Sequence, residues 1–330
     1  MPRFRRARCE EAARFDPSGG SGAPPTLWFM PDRSRALHEE LRDLIDAGRP
    51  SISFEFFPPK DDTGEALLWE AIRRLEPLTP AFVSVTYGAG GSSRDRTTRI
   101  TRRIAQDTTL TPMAHLTCVG ASRAELRKVI AEYADAEVHN VLVIRGDPPA
   151  GPRAPWVAHP GGLDYAVDLV RLVRELGRFS VGVAAFPDIH PASADLDEDA
   201  RNLAAKADAG AQFAITQMFF TEDAYFRLLE RAQAHGCTIP VIPGIMPVTN
   251  VRQIARIAEL TGVALPAAVI DRLEAVADDP VAVRQVGVEI ATELSQRLLA
   301  GGAPGLHFIT MNRSTATLEV HSALGLTARV

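Results

Sequence analysis

Residues 51–60 read SISFEFFPPK, a short apolar strand that ends on a carboxylate and a pair of prolines. Seven further runs of the same kind follow: Phe82–Tyr87, Met113–Cys118, Val141–Gly146, Ser180–Ala185, Phe213–Gln217, Ile239–Gly244 and Leu306–Thr310. Nearly every run ends in a polar residue or a Gly/Pro cluster, and segments of helical periodicity separate them. The chain therefore reads strand–helix eight times, the pattern of an α/β (β/α)₈ TIM barrel, whose catalytic residues sit at the carboxyl ends of the strands. In that fold Glu55, Thr86, His115, Asp147, His190, Gln217 and Arg313 face one shared cavity although they are far apart in sequence. Such convergence argues for an enzyme.

Composition narrows the field. The chain has 330 residues, 46% hydrophobic and 23% charged, as expected of a globular protein. A barrel needs about 250 residues, so one barrel and an amino-terminal extension account for the length. Residues 34–330 are assigned to the barrel and residues 1–33 to a flexible extension, with five arginines in its first fifteen residues and a Pro/Gly/Ser tract behind them. That extension lacks the apolar stretch of a secretory signal. The formal charge of -5 argues against a nucleic-acid partner or an anionic membrane surface. No apolar run approaches the roughly 18 residues that span a bilayer. Cys9, Cys118 and Cys237 form no CxxC pair and suit a reducing cytoplasmic setting.

Helices are placed by spacing and caps. Leu37, Leu41, Leu44 and Ile45 form a stripe before the first strand, read as a helix closing the barrel floor. Ser122 with Glu125 makes a capping box, and Asn250 caps a helix that Gly262 ends. The gap before the eighth strand is too long for one helix, so Leu265–Val276 and Val281–Leu299 are read as two more outside the barrel. These outer apolar helices leave room for a homo-oligomer.

Each chemical motif carries an ordinary alternative. Glu55 lies in apolar surroundings, where burial raises a carboxyl pKa and favours a proton donor; the alternative is a structural carboxylate paired with Lys60 or an arginine. The turn GAGG (residues 88–91) lets backbone approach a ligand closely, yet it is neither a G-x-G-x-x-G fingerprint nor a P-loop, and a plain βα turn explains it equally. Two prolines after Asp147 hold its carboxylate at the barrel mouth, unless it merely caps the loop. The histidines, His190 among them, show no metal-ligand spacing, so a metal site is not expected and ligand contact fits His190 better. Asp199, Asn202 and Lys206 share one helix face, either solvated or gripping a ribose and a pyrophosphate. Gln217 is an amide among apolar neighbours that must find a partner, such as a heterocyclic substrate.

Eight strings, in order from about residue 50 to the end, resemble the methylenetetrahydrofolate reductase family in its bacterial single-domain form. They are SFEFFPPK, FVSVTYGAGGSSRDRT, HLTC, IRGDPP, AAFPDIHP, NLAAKADAGAQFAITQMFF, VIPGIMPVTN and HFITMNR. The resemblance implies an FAD-containing barrel that reduces 5,10-methylenetetrahydrofolate to 5-methyltetrahydrofolate with NADH or NADPH, supplying methyl groups for methionine synthesis. It further implies Glu55 as the general acid and Asp147 as a carboxylate beside the flavin that also orients the pterin. Gln217 and Arg313 become substrate-binding residues. Thr86, Tyr87, Ala89, His115, Arg145, Gly146, Asp147, Tyr165, Ala166, His190, Asp199, Asn202 and Lys206 match FAD-contacting positions. Four positions depart from the pattern: Phe186 and Ile309 stand where a tyrosine is usual, Ala205 where a basic residue is, and Ile257 where an aromatic ring is. A lost stacking ring weakens a ligand by about 1 kcal/mol. Two rival readings are a flavin-free lyase or aldolase using Glu55 and Asp147, and a non-catalytic protein that binds flavin or folate.

Overall fold

A computed structural model describes residues 35–87, 94–148, 150–151, 153–326 and 328. The readings placed on residues 1–33, on the 88–91 turn and on Ala89 lie outside the described residues. Eight strands form a closed parallel barrel in chain order: β1 Ser51–Phe56, β2 Phe82–Val85, β3 Pro112–Thr117, β4 Asn140–Ile144, β5 Ser180–Ala185, β6 Phe213–Met218, β7 Val241–Ile245 and β8 Gly305–Ile309. Pairing of β8 with β1, Ser51 beside Gly305, closes the ring. The fold is the expected (β/α)₈ barrel. Its strand ends differ slightly from the sequence reading. β7 begins at Val241 because Pro240 has no N–H for the ladder, although its carbonyl still accepts from Ala214 N at 2.8 Å.

The helices in chain order are α1 Leu37–Asp46, α2 Asp62–Leu75, α3 Arg94–Asp107, α4 Arg123–Asp135, α5 Ala166–Leu176, α6 Leu196–Asp208, α7 Glu222–Ala234, α8 Val251–Thr261, α9 Ala267–Glu274, α10 Pro280–Ala300 and α11 Thr315–Ala323. The extra elements lie where the sequence placed them, α1 before β1, and α9 and α10 before β8. The capping box is present: Ser122 Oγ accepts from Glu125 N at 3.2 Å, and Glu125 Oε2 accepts from Ser122 N at 2.8 Å. Asn250 Oδ1 caps α8 through Gln253 N, and Gly262 ends it at φ 78, a left-handed value that suits glycine.

Side chains alternate across the barrel wall. On β1, Ile52, Phe54 and Phe56 face the helices and join the main hydrophobic cluster, while Ser53 and Glu55 face the interior. At the amino ends of the strands, Leu37, Leu41 and Leu44 of α1 pack with Phe82, Met113, Leu142, Phe213 and Ile242. This plug closes the floor. Ile45, read into the same stripe, is exposed instead. His38 adds a polar tie, its backbone N and Nδ1 both meeting Ser180 Oγ. With the floor filled, a cavity opens toward the carboxyl ends of the strands. None of the described helices is long and apolar enough to cross a membrane.

Candidate active site

A cavity of about 1760 Å³ lies at the carboxyl ends of the strands, larger than the roughly 300–1,000 Å³ usual for a small-molecule pocket. β1 contributes Glu55, the end of β2 contributes Thr86 and Tyr87, and β3 contributes His115. The turn after β4 brings Arg145, Gly146 and Asp147, and the start of α5 brings Tyr165 and Ala166. His190 enters from the loop after β5; Asp199, Asn202 and Lys206 enter from one face of α6; Gln217 enters from β6. Gly146 holds φ 84, and a Cβ there would meet Val119 Cγ1 at 2.5 Å, so no other residue fits that turn without displacing the loop.

Arg313 does not join them. It lines a neighbouring cavity of about 640 Å³ with Arg74, Arg284 and Thr315, and among the described residues only Ile309 borders both spaces. The displacement follows from the loop after β8, where Met311 and Asn312 adopt left-handed φ values of 52 and 58 and turn the chain away from the barrel axis. Asn312 locks that turn by accepting from Phe57 N at 2.8 Å and donating to Phe57 O at 2.9 Å. Of the four departures from the family pattern, Phe186, Ala205 and Ile309 line the main cavity, and Ile257 packs beside a hydrophobic cluster instead.

Glu55 is the centre of the polar floor. Its Oε2 lies 3.5 Å from His115 Nε2 and 3.5 Å from His307 Nε2. Among the described residues neither Lys60 nor an arginine pairs with it. Burial pushes the Glu55 pKa up, but the hydrogen bond from His307 and the charges of His115 and His307 outweigh it. The net direction is downward, which corrects the sequence expectation of a raised value: pattern alone did not reveal two imidazoles from other strands. His115 is itself driven down to about 4, chiefly by burial. It is neutral near neutral pH, which leaves His307 as the steadier partner.

His307 was overlooked in the sequence because it sits inside an apolar strand. The available signal was period-two alternation, with Leu306 and Phe308 facing the helices and His307 between them facing inward. Ser53 Oγ lies 2.8 Å from His307 Nδ1, so serine, histidine and glutamate stand in a row. This is not a nucleophilic set, because Ser53 is 0% exposed within a strand and no substrate reaches its hydroxyl.

The rest of the wall is cationic and under-satisfied. Arg145 lies over the Trp156 ring at 4.8 Å. Buried atoms without a hydrogen-bond partner include Arg145 Nε, Thr117 Oγ1 and His115 Nε2, each on a cavity-lining residue. Leaving such an atom unpaired costs about 1–3 kcal/mol, so a bound polar ligand would recover energy here. Lys206 Nζ donates to Ala184 O at 2.5 Å, and burial lowers its pKa to about 8. Asp199 accepts from His190 N and from Ser193 Oγ, which fixes the His190 loop against α6. Burial, then Arg145 and Lys206, hold His190 down at about 4. Burial raises Asp147 and Asp199, partly countered by Arg145 at Asp147. Gln217 sits where the β6–β7 register shifts, and its Oε1 accepts from Met218 N at 2.9 Å, which leaves the amide nitrogen for a ligand. Among the described residues no cluster of three or more histidines, cysteines or carboxylates forms a metal site.

A sequence profile of the family described as methylenetetrahydrofolate reductase matches residues 40–325. The chain is 38% identical over 299 residues to the 5,10-methylenetetrahydrofolate reductase of Pectobacterium carotovorum subsp. carotovorum, covering 91% of this chain and 97% of that protein. It is 37% identical to the enzyme of the same name from Escherichia coli (strain K12), covering 91% and 98%. Among solved structures, an uncharacterised protein from Clostridium thermocellum that binds two copies of 5-methyl-5,6,7,8-tetrahydrofolic acid superposes with a TM-score of 0.57 at 14% identity. That match covers 87% of this chain and 98% of the other, and it speaks to the fold alone.

Proposed function

Since this chain belongs to the methylenetetrahydrofolate reductase family, we propose that it reduces 5,10-methylenetetrahydrofolate to 5-methyltetrahydrofolate, with FAD in the main cavity and NADH or NADPH as reductant. The observation that carries the reading is the meeting of Glu55, Asp147 and Gln217 at one cavity from three strands distant in sequence.

The residues present fit FAD. The cavity is large enough for a dinucleotide, Arg145 and Lys206 supply positive charge for a diphosphate, and the orphaned Arg145 Nε and Thr117 Oγ1 want acceptors. His190, Asp199 and Asn202 would hold the sugar and phosphate end; Thr86, Tyr87, His115, Gly146, Tyr165 and Ala166 would hold the rest. When bound, FAD supplies the two-electron hydride chemistry that no side chain here can perform.

The chain's own work is acid chemistry and positioning. Turning a 5,10-methylene bridge into a 5-methyl group breaks the carbon–N10 bond, so N10 leaves as an amine and needs a proton. Glu55 donates it. In the open cavity its carboxyl is held toward the ionised form. A flat ring covering the cavity removes water and strengthens burial, the largest influence on the group, and so moves Glu55 toward the protonated acid. Asp147 and the free amide of Gln217 orient the pterin by hydrogen bonds. A folate extending past Ile309 reaches Arg313 in the neighbouring cavity, where the guanidinium meets its carboxylates. One cavity serving reductant and folate in turn predicts ping-pong kinetics.

The test uses the two half-reactions under anaerobic conditions. Glu55→Gln should abolish oxidation of the reduced flavin by methylenetetrahydrofolate and leave bleaching by the nicotinamide. Equal loss of both would reject the acid role. A protein that stays colourless after FAD is added would favour a flavin-free lyase instead.

A further inference from the structure

We infer that His307 is a positioning residue that, backed by Ser53, shares a proton with Glu55 and sets the pH at which that carboxyl can give it up. The inference rests on the reading of Glu55 as the proton donor.

Three observations carry it. His307 is 1% exposed on β8 and stacks on Phe82 at 5.5 Å, so the ring cannot swing away. Its two nitrogens are committed in opposite directions, Nδ1 to Ser53 Oγ at 2.8 Å and Nε2 toward Glu55 Oε2 at 3.5 Å, with Ser84 Oγ also 3.4 Å from Nε2. Ser53 Oγ has a second acceptor, the Leu306 carbonyl at 3.4 Å. The serine hydroxyl can therefore donate either to Nδ1 or to that carbonyl, and its choice decides which tautomer His307 adopts.

The proton count closes. With both imidazole nitrogens protonated, Nδ1–H donates to Ser53, Ser53 donates to Leu306 O, and Nε2–H faces the Glu55 carboxylate. Moving the Nε2 proton to Oε2 leaves a neutral imidazole and a carboxylic acid. When that acid gives its proton to an amine, Glu55 is a carboxylate again beside an unprotonated Nε2, and the ring proton stays on Nδ1 facing Ser53. One proton taken up from solvent restores Nε2–H, so each turnover consumes one proton. The ionisable groups that act on Glu55 are His307 from β8 and His115 from β3; Ser53 and Ser84 are neutral. Burial drives His115 to about 4, so the hydrogen bond from His307 is the contact that bears most on the carboxyl.

The experiment reads the carboxyl directly. Protein carrying ¹³C-carboxyl glutamate is titrated by infrared or NMR spectroscopy without substrate, and the Glu55 signal is identified by its loss in Glu55→Gln. His307→Gln keeps a donor near the Nε2 position, whereas His307→Asn reaches only toward Ser53. An opposite charge or donor within hydrogen-bond range shifts a carboxyl by about 1–3 pH units. The Glu55 midpoint should therefore rise by about one unit or more in His307→Asn and less in His307→Gln. Ser53→Ala should move it the same way by a smaller amount and serves if the His307 variants fail to fold. An unchanged Glu55 midpoint in folded variants overturns the inference. If the midpoint moves but the pH profile of folate reduction does not follow, the coupling stands and the acid role of Glu55 falls.

Discussion

Replacing Lys206 by methionine keeps the aliphatic stem and removes a charge that the fold holds at a cost. The ammonium sits behind β5 with Ala184 O as its hydrogen-bond acceptor at 2.5 Å. Burial lowers its pKa from 10.5 to about 8, against smaller opposing pulls from Asp199 and Cys237. That gap corresponds to about 3 kcal/mol, and partial exposure of the side chain reduces it to about 2 kcal/mol. Below about pH 8 the folded and unfolded chains both carry the proton, so the whole cost is present. Between about 8 and 10.5 the unfolded chain keeps the proton while the folded chain has released it, and stability rises with pH. Loss of the hydrogen bond in Lys206→Met costs about 1 kcal/mol at every pH. The variant should thus be about 1 kcal/mol more stable than the parent at neutral pH and about 1 kcal/mol less stable near the top of the window. Urea denaturation of the ligand-free proteins at a series of pH values, at constant slope, measures the difference. A difference that stays flat from neutral pH to 10.5 would refute the picture of a desolvated ammonium waiting for an anion. The same variant should hold FAD less tightly, which dialysis followed by an absorbance spectrum checks.

Three further substitutions probe the frame around the site. Gly287→Ala should destabilise the protein by about 3 kcal/mol or more, because a Cβ there would lie 1.8 Å from Val248 O and push α10 off the loop after β7; thermal melting reads the loss. Leu41→Ala opens the floor plug at a 1% exposed position and should cost about 2–5 kcal/mol by urea denaturation. Asn312→Ala removes both hydrogen bonds to Phe57 and a residue type that tolerates φ 58, for a loss of about 2 kcal/mol. Since Thr310 Oγ1 in the same loop donates to Glu55 O at 2.7 Å, Asn312→Ala should also slow the folate half-reaction more than the nicotinamide one in stopped-flow traces. Equal slowing of the two would show that the loop does not steady Glu55.

The barrel was legible in the chain because its determinants are local. Apolar runs ending in polar or Gly/Pro clusters announced eight strands, the Ser122–Glu125 pair and the Asn250–Gly262 pair marked helix ends, and the leucine stripe at 37, 41 and 44 announced the floor plug. Each signal spans a few residues and survives whatever packs against it. Glu55, Thr86, His115, Asp147, His190 and Gln217 were legible for a related reason: strand ends of one barrel must converge, so position along the chain implies position in the cavity, whereas Tyr87, Arg145, Gly146, Tyr165 and Ala166 came only from the family resemblance. What remained hidden depends on atoms contributed by distant strands. The downward direction of the Glu55 pKa needs His307 from β8 and His115 from β3. The turn that carries Arg313 into the neighbouring cavity needs Asn312 hydrogen-bonded to Phe57, a residue 255 positions away. The oxygen of Gln217 is engaged by its own neighbour because β6 shifts register against β7 there. Periodicity decides which face a side chain takes; only the closed ring decides what it meets, and electrostatics and hydrogen bonding act over the few ångströms that closure creates.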